Sequence, residues 1–82
     1  MRVKVLFFAA SRDIVGRSEV DVELPADVDT IGAFLAHLTR SYPDLDGRLG
    51  SVRIAQNERF ADHDSALSAG DVLAVIPPVA GG

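Results

Sequence analysis

The residues whose types and spacing could do chemistry form the last six positions of the chain. They are Pro77, Pro78, Val79, Ala80, Gly81 and Gly82. Gly81 and Gly82 place no side chain beside the terminal carboxylate, so we expect backbone and carboxylate to enter a channel too narrow for other residues. Pro77 and Pro78 fix φ and favour a stiff, extended stem, which gives the six residues a reach of roughly 18–20 Å. The pattern is typical of a carboxylate delivered into another protein's active site, and a frayed terminus is the alternative.

Side chains elsewhere do not assemble a catalytic set. Asp62, His63 and Asp64 resemble part of a metal or acid–base site, but no further histidine and no cysteine completes it, which favours a solvated polar turn. Ser11 and Ser18 have no evident base partner. Because the chain has no cysteine, any sulfur it carries would have to be on the terminal carboxylate. We therefore expect no metal site, no bound cofactor and no catalysis by this chain alone.

Composition bounds the class of protein. The 82 residues are enough for one small domain, and a hydrophobic fraction of 48% is ordinary for a folded chain. The net charge is −4 and the basic residues are scattered, which argues against nucleic acid as a partner. The sequence has neither an apolar run long enough to span a membrane nor the pattern of a secretory signal. A cytoplasmic location is expected.

Alternation of apolar and polar residues predicts the strands. We expect strands over residues 2–8, 17–24, 51–55 and 72–76, with a short extended piece around Phe60. The second strand has one half-buried face, which indicates an antiparallel neighbour and a wide hairpin with the first strand. Between these two strands we expect a connection containing one helical turn that Gly16 closes.

One longer helix is predicted between Ile31 and about Ser41. Its apolar residues recur at the spacing i, i+3, i+4, i+7, and Asp29 or Thr30 can cap its start. A proline at position 43 ends it. Because a single helix cannot cover both faces of such a sheet, the fold class is α+β, with a mixed sheet wrapped around one main helix and one face left open.

The open face should carry apolar side chains. By alternation, Leu6, Phe8, Ala74 and Ile76 point away from the helix and would form an exposed patch at the root of the terminal segment. Loops that cover these side chains are the alternative. Arg12 would lie just beyond the patch, either at the rim of an interface or as a solvated loop arginine.

Four segments together resemble a known family. They are Phe-Phe-Ala-Ala-Ser-Arg-Asp at residues 7–13 followed by Gly16, Asn-Glu at 57–58, Leu-Ser-Ala-Gly-Asp-Val at 67–72, and Ile-Pro-Pro-Val-Ala-Gly-Gly at 76–82. They resemble the small, sulfur-carrying subunits of molybdopterin synthase, also called molybdopterin-converting factor subunit 1. The likeness covers essentially the whole chain, and Asp13 stands where the family usually has glutamate.

This resemblance implies a ubiquitin-like β-grasp domain over residues 1–76 and a flexible tail over residues 77–82. A ubiquitin-activating-type enzyme would use ATP to adenylate Gly82, and a sulfurtransferase would supply the sulfur of a thiocarboxylate. The tail would then enter the large synthase subunit, where sulfur passes to cyclic pyranopterin monophosphate within a heterotetramer. Phe8, Ile76, Pro77 and Pro78 would contact that subunit.

Two other functions stay open at this point. The chain could be a ubiquitin-like sulfur carrier for thiamine, cysteine or tRNA thiolation, because such carriers also end in Gly-Gly. It could also be an interaction module whose tail is never activated. The opening Phe-Phe-Ala segment and the two prolines favour the molybdopterin pathway.

Overall fold

The computed structural model describes residues 1–45 and 52–77, and within them the chain forms one mixed sheet with two helices and a 3₁₀ turn. The elements are β1 (Arg2–Phe7), α1 (Ala9–Val15), β2 (Glu19–Glu23), α2 (Ile31–Ser41), the 3₁₀ turn Pro43–Leu45, β3 (Arg53–Gln56), β4 (Arg59–Phe60) and β5 (Val72–Ile76). The α+β class is confirmed.

The sheet has the strand order β2-β1-β5-β3-β4. β1 and β2 are antiparallel, as the hairpin prediction required, and β1 pairs in parallel with β5. β3 pairs antiparallel with both β4 and β5. The last strand in sequence therefore lies at the centre of the sheet, between the first strand and the third.

α2 crosses one face of this sheet and forms the core with it. Thr30 is the N-cap, since its Oγ1 accepts the backbone N–H of Ala33 at 3.2 Å. The buried residues of α2 are Ile31, Phe34 and Leu38, which meet the inward side chains of the central strands. Those inward side chains are Val3, Val5, Phe7, Leu73 and Val75, each at most 2% exposed. Burial of each large apolar side chain contributes about 1.5–3 kcal/mol.

Gly32, in the first turn of α2, allows a loop to pack closely. Its N–H donates to the carbonyl of His63 at 2.8 Å, and a Cβ at this position would lie 3.1 Å from that oxygen. The N–H of Ile31 donates to the carbonyl of Ser65 at 3.0 Å. The loop thus satisfies the first two amides of the helix, which have no acceptor inside the helix itself.

The connection after β1 is longer and more regular than predicted. α1 has seven residues, about two turns, where one turn was expected. Gly16 closes it, as predicted, with φ of 82° and an N–H that donates to the Arg12 carbonyl at 2.8 Å. The helix forms because Ser11 is buried and supplies the hydrogen bonds at its start, a contact that periodicity does not reveal.

Strand boundaries differ from the predictions by one or two residues. β1 ends at Phe7 because Phe8 begins the turn into α1, and β2 starts at Glu19, after Ser18. β3 runs over Arg53–Gln56, and Ser51, predicted as its first residue, lies outside the described residues. The predicted link over residues 44–50 falls there too, apart from its first two positions. α2 and β5 have the predicted bounds.

Candidate functional site

The face of the sheet opposite α2 carries an apolar groove. Strand register places four side chains in one row across this face: Leu6 pairs with Ala74, Ala74 with Ala55, and Ala55 with Phe60. Two small alanines thus form the floor between two large side chains. We call the following set the apolar patch: Leu6, Phe8, Phe60, Val72, Ala74 and Ile76. The four residues predicted from alternation do line one groove, in which Phe8 is exposed while Leu6, Ala74 and Ile76 are half-buried.

Phe8 stands at the end of the patch nearest Ile76 and is 48% exposed. Its backbone is held firmly: the N–H donates to Ser11 Oγ at 3.1 Å and to the Val75 carbonyl at 3.4 Å, and Ser11 Oγ donates to the Phe8 carbonyl at 2.6 Å. The sequence analysis considered Ser11 only as a nucleophile and found no base partner for it. In the structure it is a buried residue whose hydrogen bonds fix the backbone of Phe8.

Phe60 is the other large apolar side chain that is exposed among the described residues, at 56%. The Arg53 guanidinium lies 3.7 Å from the centre of its ring, a cation–π contact that holds the ring in place. Sequence reasoning placed an extended piece here but missed its role in the patch. The available signal was the two-residue Asn-Glu turn, since a tight hairpin puts Phe60 opposite Ala55.

Beneath one end of the patch, a buried carboxylate joins two loops. Asp71, 7% exposed, accepts hydrogen bonds from Asn57 Nδ2 at 2.9 Å, Gln56 Nε2 at 2.8 Å and the Ser68 N–H at 2.8 Å. Burial alone would raise the pKa of Asp71, but these three hydrogen bonds outweigh it and hold the pKa below 3.8. The backbone of Asn57 also pairs with Val72, so the β3–β4 turn is fixed to the start of β5.

Arg12 lies on α1 rather than in a loop, and it is exposed. Arg12 is not one of the described residues that line the groove. The structure therefore does not place Arg12 in the patch and shows no contact that would define its role. A role for Arg12 at an interface stays a prediction. Arg53, which pairs with Ile76 and lies over the Phe60 ring, is a basic residue in contact with the patch.

The remaining predicted residues divide into two groups. Within residues 1–45 and 52–77, Asp62, His63 and Asp64 do not belong to a group of three or more side chains that could hold a metal ion. Ile76 and Pro77 are half-buried at the edge of the described chain. Pro78, Val79, Ala80, Gly81 and Gly82 lie outside the described residues.

Across the described part of the chain, no helix has the length and apolar character needed to cross a bilayer.

The sheet order with one helix packed across a single face defines the class of protein as a ubiquitin-like β-grasp protein, as the resemblance implied. The fold is similar to that of a protein from Pyrococcus furiosus described as molybdopterin converting factor, subunit 1. The two superpose with a TM-score of 0.85 at 29% identity, over 96% of this chain and 99% of that one.

The sequence comparisons give the family. The ThiS family model matches residues 5–82. The molybdopterin synthase sulfur carrier subunit of Mycobacterium tuberculosis is 38% identical over 85 residues, covering 100% of this chain and 99% of that protein. A complex of subunits 1 and 2 of the molybdopterin-converting factor from Helicobacter pylori contains a chain that matches with a TM-score of 0.68 at 26% identity, with both chains fully covered. The chain therefore belongs to the ThiS family, among the sulfur carrier subunits of molybdopterin synthase.

Proposed function

We propose that this chain carries sulfur as a thiocarboxylate on Gly82 and donates it to cyclic pyranopterin monophosphate while bound to the large subunit of molybdopterin synthase. The observation that carries the proposal is the exposed apolar patch around Ile76, the last residue of β5 and the root of the Pro-Pro-Val-Ala-Gly-Gly segment. Membership of the sulfur carrier family supports it.

The chemistry requires activation before sulfur transfer. A carboxylate is a poor electrophile, so an adenylating enzyme joins it to AMP from ATP and releases pyrophosphate. Sulfide-level sulfur from the donor would then displace AMP, so that a C–S bond replaces the acyl C–O bond to AMP and Gly82 becomes a thiocarboxylate. The thiocarboxylate sulfur is a strong nucleophile that would form a C–S bond to the pterin precursor as a C–O bond of that precursor breaks, and hydrolysis of the acyl–sulfur bond would then restore the carboxylate. Two such transfers would build the dithiolene. ATP would be consumed by the activating enzyme and would not be a cofactor of this chain.

The described residues of the chain would supply docking rather than catalysis. Exposed apolar surface of this kind is typical of a partner site, and aromatic side chains such as Phe8 and Phe60 are common anchors in interfaces. Ile76 pairs with Arg53 on one side, and on the other the Phe8 N–H donates to the carbonyl of the preceding Val75, so a partner that covers the patch would contact both sides of the tail root. The similarity of this chain to one in the Helicobacter pylori complex of subunits 1 and 2 supports the large subunit as that partner.

The test is the intact mass of the protein after incubation with its activating enzyme, ATP and a sulfur donor. We expect a gain that matches exchange of one oxygen for sulfur, mapped to Gly82, and then loss of that sulfur when the large subunit and the pterin precursor are added. A variant with one residue added after Gly82 should show neither change while folding normally. An unchanged mass, with an enzyme proven active on another carrier, would leave the interaction module as the function.

The same experiment separates the rival sulfur pathways. If Gly82 gains sulfur but the large synthase subunit neither binds the protein nor removes the sulfur, the chain serves thiamine, cysteine or tRNA thiolation instead. The expected heterotetramer of two small and two large subunits is measured by the mass of the purified complex. A cytoplasmic location goes with this proposal, since all its proposed partners would share that compartment.

A further inference from the structure

The turn between β3 and β4 has an unfavourable residue at a defined position. It consists of Asn57 and Glu58, whose φ angles are 51° and 73°. Two-residue hairpin turns with both φ angles positive strongly prefer glycine at the second position, because a side chain there crowds the backbone. Asparagine tolerates this conformation, whereas glutamate adopts it uncommonly. An uncommon backbone conformation at an exposed position is a reason to ask what its side chain does.

Glu58 occupies a place where its charge would matter to a partner. It is exposed and lines the end of the groove beside Leu6 and Val72, at the opposite end from Phe8 and Ile76. The ion pairs found between described residues join Met1, Arg2 and Lys4 to Glu19 and Glu23, and none involves Glu58. Lys4, which pairs with Val72 at this end of the groove, contacts Glu19 at 3.3 Å, so the Glu58 carboxylate has no ion pair with another described residue.

The turn that displays Glu58 is rigid. Asn57 Nδ2 donates to Asp71, Asn57 Oδ1 accepts the N–H of Val72, and the N–H of Asn57 donates to the Val72 carbonyl at 2.8 Å. These contacts fix the turn before any partner arrives. A preorganised charge at the edge of an apolar surface gives orientation and specificity, because little is lost in ordering it.

We propose that the Glu58 carboxylate receives an arginine or lysine side chain of the large subunit that covers the apolar patch. This rests on the proposed function and adds to it the chemistry of one interface contact. The Arg53 guanidinium lies over Phe60 and beside Ile76, towards the opposite end, whereas Lys4, which pairs with Val72 near Glu58, is engaged by Glu19 at 3.3 Å. A partner with a basic group at the Glu58 end can then bind in only one direction, the one that brings the tail root to its active site.

The experiment measures the affinity of the full-length chain for its purified large subunit by titration calorimetry at low and high salt. Glu58→Gln removes the charge and keeps the shape, and we expect affinity to fall about tenfold, as for a charge-assisted contact at an interface. The salt dependence should weaken in the same variant. Glu23→Gln is the matched control, since Glu23 is also an exposed carboxylate of this sheet but lies away from the groove.

Glu58→Gly separates function from fold. Glycine suits the turn, so we expect the midpoint of thermal unfolding to rise while affinity falls at least as far as in Glu58→Gln. Equal affinity and equal salt dependence for wild type and Glu58→Gln would overturn the contact while the docking proposal stands. If the wild type itself does not bind the large subunit, the proposed docking is wrong and the contact falls with it.

Discussion

Replacing Asp71 with asparagine should destabilise the protein through one defined set of hydrogen bonds. An asparagine can keep its oxygen towards Gln56 and Ser68, but its NH₂ group then faces Asn57 Nδ2, a donor. One charge-assisted hydrogen bond is lost and two are weakened, while the neutral side chain is easier to bury. Because such bonds contribute about 1.5–3 kcal/mol each, we expect a loss of about 2 kcal/mol. For a domain of this size that lowers the melting temperature by roughly 8–16 °C.

The same contact makes the loss depend on pH. The pKa of Asp71 in the folded protein lies below its ordinary value of 3.8, so the unfolded chain takes up the proton first as pH falls. The stabilisation by Asp71 is therefore complete above pH 3.8 and disappears as pH falls through the folded pKa. The difference in the free energy of unfolding between wild type and Asp71→Asn should be constant near neutral pH and shrink below about pH 4.

The assay is urea unfolding followed by far-ultraviolet circular dichroism between pH 3 and pH 7, since the chain has no tryptophan. Asp64→Asn is the control, because Asp64 is an exposed aspartate in the loop before β5 and should change stability little at any pH. A difference for Asp71→Asn that stays constant down to pH 3 would refute the ionised, hydrogen-bonded carboxylate. Equal stability of wild type and Asp71→Asn at pH 7 would refute the contribution altogether.

Two further predictions concern the patch and its support. Phe8→Ala should weaken binding of the large subunit by about 2 kcal/mol, roughly thirtyfold, while thermal unfolding changes little because the ring is 48% exposed. His37→Ala, on the helix at the opposite face, serves as its control, and equal affinities of Phe8→Ala and wild type would contradict the docking role. Ser11→Ala should lower the free energy of unfolding by about 1–2 kcal/mol, because the Phe8 backbone loses a buried partner; chemical unfolding with no shift in midpoint would show that water replaces the hydroxyl.

Regular, well-bounded elements were predictable from sequence. α2 has its apolar stripe, the cap Thr30 and a proline after its end, so all three signals agree on its bounds. β5 is a short apolar run between a glycine turn and two prolines, and it too was predicted at the correct residues. The open apolar face followed from alternation alone, because a strand places successive side chains on opposite faces.

Features that depend on contacts distant in sequence were not predictable. The Asp71 network joins residues 14 and 15 positions apart, and no local pattern marks a buried aspartate. α1 begins with Ala9 at φ of 51° after Phe8, which carries no polar side chain to cap a helix. Phe60 is a different case: its strand of two residues is too short for periodicity to show its face, and the Asn-Glu turn before it is the local signal for its pairing with Ala55.

The position of β5 connects these features to the proposed sulfur transfer. β5 is the strand that leads into the tail, and it lies between β1 and β3 rather than at an edge. Asp71 and Asn57 fix its start, whereas pairing with Phe7 and Arg53 fixes its end. A partner that binds the patch therefore contacts a strand whose two ends are both fixed by hydrogen bonds. If the proposed sulfur transfer holds, we expect that weakening the Asp71 network would slow it even where the domain stays folded, because β5 ends at Ile76, the root of the tail.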